Sequence, residues 1–400
     1  MTASKTVRRT AAGPGVLDAL SLLSEVADEL VVSSVRDTHL AWADRAHGLT
    51  RRFTSGSTAI PVLVEKGHRG IAGAVYGGLG LGLRAAAAGL DKAAEAGLGP
   101  RLDATPKGRF VNAAINGLIG DRLLRERPQL AIPMAVRRDG ADVPPERPEL
   151  TEAFPDASGR LVVFLHGLCE NESYWNRHRD RTGTTYGEAL AAEGWTPVFT
   201  RANTGLSLRE NGVALAALMQ RLVDEWPVPV TRIALVGHSL GGLVIRSAGA
   251  VAAEPSDTDW NDLVSDVVTL GTPHLGAPIA WGIGHGSRGL GRLPETAAFA
   301  RILDMRSVGV HDLVAGLAHD VTPLPHARYR LVSATLTTSP RHPVGHFVGD
   351  LFVRPRSAYG QDRQGRELFP GAETLHVGNT DHFGLLNHPQ VLTSLRTWLR

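Results

Sequence analysis

A single cysteine, Cys169, stands in a chain of 400 residues, which excludes an internal disulfide framework and any metal site built on thiolates. Lysine is nearly as scarce. Lys5, Lys66, Lys92 and Lys107 are the only ones, so arginine carries the basic charge, a bias that reads as codon usage rather than function. Net charge is small too: 42 Lys+Arg against 40 Asp+Glu leave +2, short of the basic footprint of a nucleic-acid binder. A clean secretory leader is missing as well. Met1 to Arg9 is basic, but Asp18, Glu25, Asp28 and Glu29 interrupt the apolar stretch that should follow. The cytoplasm is therefore the expected compartment. What is present is hydrophobic residue in quantity, 43% of the chain, enough to fill a large core.

The N-terminal part reads as helical. From Val16 to about Leu40 apolar residues recur at helical spacing, with Leu20, Leu23, Ala27 and Leu30 on one side and charges on the other. Ile71 to Leu90 is apolar except for Arg84 and repeats small residues four apart, at Gly73/Gly77 and Gly78/Gly82. The stretch barely reaches a bilayer span, its glycines weaken it as a helix and Arg84 would lie inside it, so a buried or membrane-surface hairpin is the expectation. Pro128, Pro133, Pro144, Pro145, Pro148 and Pro155 then mark a boundary region between Arg125 and Ala157.

Beyond that boundary the pattern alternates. A short strand over Ile132 to Arg137 precedes a strand at Leu161 to Leu165, a helix around Tyr186 to Glu193, a strand at Pro197 to Thr200, a helix over Gly212 to Glu225 and a strand at Ile233 to Val236. Strands at Val264 to Leu270 and Tyr329 to Ala334 follow, with a last helix from Pro389 to Leu399. Buried strands alternating with helices imply an α/β fold with a parallel sheet covered on both faces.

Gly237-His238-Ser239-Leu240-Gly241-Gly242 carries the strongest chemical signal, because it ends the apolar run from Ile233 and opens onto Leu243-Val244-Ile245. A strand that turns abruptly into a helix holds its turning residue at strained angles, and glycines two before and two after let the chains pass. The Ser239 hydroxyl is thereby exposed as a nucleophile. It needs a base within reach and an acid to orient that base, and on such an elbow these follow the serine in the order acid, then histidine.

His382, in Gly378-Asn379-Thr380-Asp381-His382-Phe383 before the last helix, is the expected base. His346 and His388 compete, but His388 precedes Pro389 at a helix start, where capping is the natural role. Asp350, on a loop after the strand at Tyr329 to Ala334, is the expected acid. Asp381 adjoins the base and reads as turn-forming. Asp304, Asp312 and Asp320 read as solvated helix charges. The oxyanion of an acyl-transfer step needs backbone donors; the amide of Leu240 supplies one and that of Leu168, in the His166-Gly167-Leu168 turn, the other. Cys169 lacks any comparable elbow and reads as a small buried side chain. His166, His238 and His274 have no accompanying carboxylate cluster or H-E-x-x-H pattern, so no metal and no cofactor are expected.

With these residues placed, the segment from about Ile132 to Arg400 resembles the α/β-hydrolase superfamily, and most of all its bacterial lipases and GPI-inositol-deacylase-like hydrolases. The strand ending in His166-Gly167-Leu168, the elbow, Leu270-Gly271-Thr272-Pro273-His274-Leu275-Gly276, Gly349-Asp350 and Asp381-His382 are similar to family landmarks. The resemblance implies ester hydrolysis through an acyl-enzyme, with Ser239, Asp350 and His382 as triad and Leu168 and Leu240 as oxyanion donors. One departure is Leu351, where such lipases commonly carry glycine.

The expected organisation is a helical N-terminal region, residues 1–125, and a catalytic domain, residues 126–400, with a lid-like insert at about 279–325. The apolar character of Ile279 to Leu317, with Trp281, Ile283, Leu290, Leu293 and Phe299, suggests a lid over an acyl pocket, with ordinary core packing by the insert as the alternative. The expected activity is a serine hydrolase of the lipase or esterase type acting on small-molecule or lipid esters, with no nucleic-acid partner and with peripheral membrane contact through the N-terminal helices. Acyl transfer or thioester cleavage on the same triad is the rival enzyme reading. A non-catalytic membrane-associated scaffold of the same fold is the rival from another class.

Overall fold

Strands rich in Val, Leu and Ile dominate the centre of the chain, and they assemble into one sheet of eight. The computed structural model describes residues 14–26, 78–251, 258–277, 307–317, 321–339, 342, 349–362 and 364–400. The strands are β1 (Ala135–Arg138), β2 (Ala141–Val143), β3 (Arg160–Leu165), β4 (Thr196–Arg201), β5 (Arg232–His238), β6 (Val264–Leu270), β7 (Arg328–Ala334) and β8 (Glu373–Val377). Their order is β2-β1-β4-β3-β5-β6-β7-β8. From β4 to β8 every pairing is parallel, and β1 runs antiparallel to both β2 and β4. This is the mostly parallel sheet of the α/β-hydrolase fold.

Alternation along each strand sends neighbouring side chains to opposite faces. Leu161, Val163 and Leu165 of β3 therefore join one buried layer with Ile233, Leu235 and Val267. Val162 and Phe164 join the other with Val236, Val268 and Val332. The first layer is closed by α6 (Leu208–Glu225) and α7 (Leu240–Gly249), through Leu215, Met219, Leu222, Leu243 and Val244. The second is closed by α5 (Tyr186–Ala191) and α9 (Pro389–Trp398), through Tyr186, Leu190, Val391 and Leu395. Both faces of the sheet are covered, which explains why its strands read as near-continuous apolar runs.

Several elements depart from the sequence expectation at their ends. α6 starts at Leu208 rather than Gly212 because Ser207 and Glu210 form a reciprocal capping box, each side chain taking the other's backbone N–H. α5 begins in the same way at Thr185 and Glu188. β2 and β8 were not expected: β2 is three residues long, and Glu373-Thr374-Leu375-His376-Val377 is a half-exposed edge strand whose polar residues break the apolar pattern. Residues 147–153 form the short helix α4 (Arg147–Ala153), α3 spans Pro106–Glu126, and Val308–Ala315 is α8.

The chain divides into two compact units. The larger comprises residues 109–127, 131–281 and 307–400 and contains the whole sheet. α3 carries a non-helical residue, Ile119, at φ −141°, and its residues from Arg109 onward belong to this unit. The smaller comprises residues 1–108, 128–130 and 282–306. In it α1 (Val16–Val26) and the helix α2, described from residue 78 to 95, are joined by the Ser21 hydroxyl donating to the Ala87 carbonyl at 3.2 Å.

One expectation for the N-terminal helices is corrected. On α1 the described buried positions are Ala19, Ser21 and Leu22, whereas Leu20 is 44% exposed, so Leu20 lies off the buried face; Ala27 and Leu30 lie outside the described residues. On α2 a Cβ added at Gly78 or Gly82 would meet no described residue within 4 Å, and Gly73 and Gly77 lie outside the described residues. Among the described residues no helix is long and apolar enough to cross a membrane. Within the expected lid, Trp281, Ile283, Leu290, Leu293 and Phe299 lie outside the described residues.

Candidate active site

Ser239 sits where β5 turns into α7, at φ 52° and ψ −121°. That conformation is costly for a residue with a Cβ and persists only when its surroundings over-determine it. Here they do. The Ser239 N–H donates to the Leu270 carbonyl at 2.9 Å, and the Thr272 hydroxyl donates to the Ser239 carbonyl at 2.9 Å. The flanking glycines are sterically required: a Cβ at Gly237 would lie 2.6 Å from the Gly242 nitrogen, and one at Gly241 would lie 2.4 Å from the Leu165 carbonyl oxygen. The side chain of Ser239 makes no hydrogen bond with another described residue.

Asp350 and His382 come together from the loops after β7 and β8. Asp350 Oδ2 accepts from His382 Nδ1 at 2.7 Å. The other carboxylate oxygen, Oδ1, accepts from the backbone amides of Phe352 at 3.0 Å and Val353 at 2.8 Å. Both side chains are buried, and Gly271, the residue after β6, packs against the imidazole: a Cβ there would lie 3.1 Å from both Nδ1 and Cε1. Burial by itself pushes the His382 imidazole down. The charge and hydrogen bond of Asp350, aided by Glu170 and Asp381, outweigh it and hold the ring above its ordinary value.

The backbone amides of Leu240 and Leu168 lie beside the elbow without a partner among the described residues. Leu240 is the first residue of α7, so its N–H has no intrahelical partner. The N–H of Leu168 donates to no described residue. Beside it, Cys169 is turned away: its Sγ lies 3.8 Å from the Ala114 carbonyl, and burial pushes the thiol up to about 11. A thiol so protonated is a poor nucleophile.

The competing residues have other work. His388 caps α9, accepting from Gln390 N–H at 3.2 Å. Asp381 accepts from Gly384 N–H at 2.7 Å and closes the turn. Asp312 is not a solvated helix charge; it is half-buried and accepts from the Leu208 amide at 2.8 Å, securing the start of α6. His166 takes the Ala202 N–H on Nε2 at 3.2 Å and gives its Nδ1 proton to the Gly167 carbonyl at 2.9 Å. That pairing fixes it as a neutral structural ring. His274 is buried beside Phe369, and burial drives its protonation far down. His346, Asp304 and Asp320 lie outside the described residues.

Aromatic rings line the approach to His382. Phe352 is 5.2 Å and Phe383 5.6 Å from the imidazole, centre to centre. Tyr174 lies 6.1 Å beyond Phe383, and Phe110 stacks 6.5 Å beyond Tyr174. Phe352 and Phe110 are nearly half exposed, which gives the site an apolar wall. Sequence reasoning missed this wall because its members come from four separated segments. It also missed Glu170, whose signal was faint: a single acid three residues after Gly167, in the turn that carries Leu168.

Residues 156–282 match a family described as "Putative serine esterase (DUF676)". Among solved structures, the mature lipase BlEst2 of Bacillus licheniformis is 21% identical over 60% of this chain and 91% of that one, at a TM-score of 0.42. Carboxylesterase CesB from Bacillus subtilis is 15% identical over 61% and 84%, at 0.35. The Pyrococcus furiosus esterase PF2001 is 17% identical over 61% and 83%, at 0.36. No curated protein sequence matches the chain.

Proposed function

We propose that the chain is a carboxylic-ester hydrolase that works through an acyl-enzyme on Ser239, with His382 as base and Asp350 orienting it; the match of residues 156–282 to a serine esterase family supports the reading. The buried Asp350–His382 pair, held against the residue that follows β6, is the observation that carries this reading. In the first half-reaction His382 Nε2 takes the Ser239 proton as Oγ attacks the ester carbonyl, and the amides of Leu168 and Leu240 receive the oxyanion. Collapse expels the alcohol, which takes the proton back from His382. Water, deprotonated by the same ring, then releases the acid and restores Ser239.

The apolar wall of Phe352, Phe383, Tyr174 and Phe110 supports an acyl group or alcohol of hydrocarbon character. Substrates of lipid type therefore fit the reading best. The test is hydrolysis of p-nitrophenyl esters from short to long acyl chains, by the intact protein and by Ser239→Ala. Hydrolysis abolished in the variant supports the serine mechanism; hydrolysis retained overturns it. Added short alcohols separate release to water from acyl transfer, since transfer yields the new ester.

For the N-terminal residues we propose peripheral membrane contact. Loss of liposome co-sedimentation on removing residues 1–125 supports it, and unchanged co-sedimentation ends it.

A further inference from the structure

A second carboxylate–histidine pair lies directly under the elbow. Glu170 and His238 are both buried, and the Glu170 carboxylate faces His238 Nδ1 at 2.9 Å from Oε1 and 3.0 Å from Oε2. Oε2 also accepts the backbone N–H of Gly167 at 2.9 Å. On the far side of the ring, His238 Nε2 lies 3.2 Å from the backbone carbonyl of His382. The two imidazoles sit 4.7 Å apart. The proposed triad uses neither residue.

We propose that Glu170 is a positioning residue, which through His238 braces three parts of the active site against one another: the oxyanion turn, the elbow and the loop bearing His382. This role rests on the reading of Ser239 and His382 given above. Each connection has its own function. The bond to Gly167 N–H fixes the turn whose next amide, Leu168, faces no described partner. The pair with His238 holds the residue preceding Ser239. The bond from His238 Nε2 to the His382 carbonyl holds the base's backbone while Asp350 holds its ring.

Both ring nitrogens of His238 meet oxygen atoms, Nδ1 the Glu170 carboxyl and Nε2 the His382 carbonyl. A buried carboxyl so placed has its partners in the ring and in the Gly167 amide. Burial alone would raise the Glu170 carboxyl, but the charge and hydrogen bond of His238, with the Gly167 amide, hold it below its ordinary value. The pair is thus consistent from either side.

The experiment uses the full chain, as wild type and Glu170→Gln. A glutamine keeps the shape but removes the charge, and its one acceptor oxygen cannot serve Gly167 and His238 as the carboxylate does. With an unchanged thermal transition, we expect kcat for a short p-nitrophenyl ester to fall at least about tenfold with KM held within about twofold, and fluorophosphonate labelling of Ser239 to slow in step. Unaltered kcat in folded Glu170→Gln overturns the proposal, as does a loss fully matched by the unfolded fraction. Should the variant fail to fold, nitrogen-15 spectra of histidine-labelled wild type decide: two protonated ring nitrogens on His238 at neutral pH uphold the brace, and one overturns it. If wild type carries that signature but cleaves no ester, the proposed hydrolysis falls and the brace stands.

Discussion

Asp350 and His382 are joined twice: the carboxylate accepts from the ring at 2.7 Å, and the His382 backbone N–H donates to the Asp350 carbonyl at 3.0 Å. The backbone bond fixes where the two loops meet, and the side-chain bond fixes which ring nitrogen carries the proton. With Nδ1 donating to Asp350, Nε2 is left for the role of base proposed above.

Asp350→Asn separates these functions. An asparagine can still accept from the amides of Phe352 and Val353, so the loop keeps its shape. Its NH2 group then faces Nδ1 and forces the proton onto Nε2, the wrong tautomer for taking a proton from Ser239. We expect kcat to fall on the order of 10^3-fold to 10^4-fold with little change in KM or thermal transition. Steady-state ester hydrolysis checks this, and a loss smaller than about tenfold removes Asp350 from the triad.

The raised pKa of His382 sets a pH dependence. The base must be neutral, so kcat/KM should rise with pH through a value above the ordinary 6.5, because Asp350 outweighs burial. In Asp350→Asn the residual activity should rise at lower pH than in wild type. Stability runs the other way: a histidine whose folded value is raised contributes stability that is complete below 6.5 and is lost as pH climbs through the folded value. Thermal transitions of Ser239→Ala against pH, compared with Ser239→Ala combined with Asp350→Asn, isolate that contribution. A wild-type activity limb below 6.5 contradicts it.

The elbow was legible because it needs a local pattern, two glycines around a serine between a strand and a helix, and the steric contacts of Gly237 and Gly241 show why. The central strands were legible because burial on both faces leaves them almost wholly apolar. β8 was not, since an edge strand with Glu373, Thr374 and His376 has no such run. Nor was the start of α6, where the Ser207–Glu210 box lay ahead of the first recognised turn. The signal of Glu170 was faint for a deeper reason. Its partners Gly167, His238 and, through that ring, His382 span more than half of the catalytic segment, and only folding brings them together.

Gly241→Ala tests the close approach behind the elbow. Its Cβ would lie 2.4 Å from the Leu165 carbonyl and 2.7 Å from that of His166. Both are backbone atoms at the end of β3, which cannot swing aside as a flexible side chain would. We expect a loss of at least about 1–3 kcal/mol in urea unfolding, with activity falling further than stability because the displaced strand end carries the oxyanion turn. A neutral result means that the turn is far softer than this packing implies.

Leu351 marks the opposite case, a position where the chain carries strain that another residue would relieve. It adopts φ 90° between Asp350 and Phe352, in a region that favours glycine. Its side chain is 42% exposed, so truncation removes little buried surface. Glycine also gains freedom in the unfolded chain, which offsets part of the relief. The strain of a non-glycine residue at such an angle is about 1–3 kcal/mol, larger than that offset of about 0.4–1 kcal/mol. Leu351→Gly should therefore raise the urea midpoint, whereas Leu351→Val, β-branched at the same angle, should lower it. If both lower it, packing of Leu351 outweighs its backbone strain, and the loop holding Asp350 depends on the side chain rather than tolerating it.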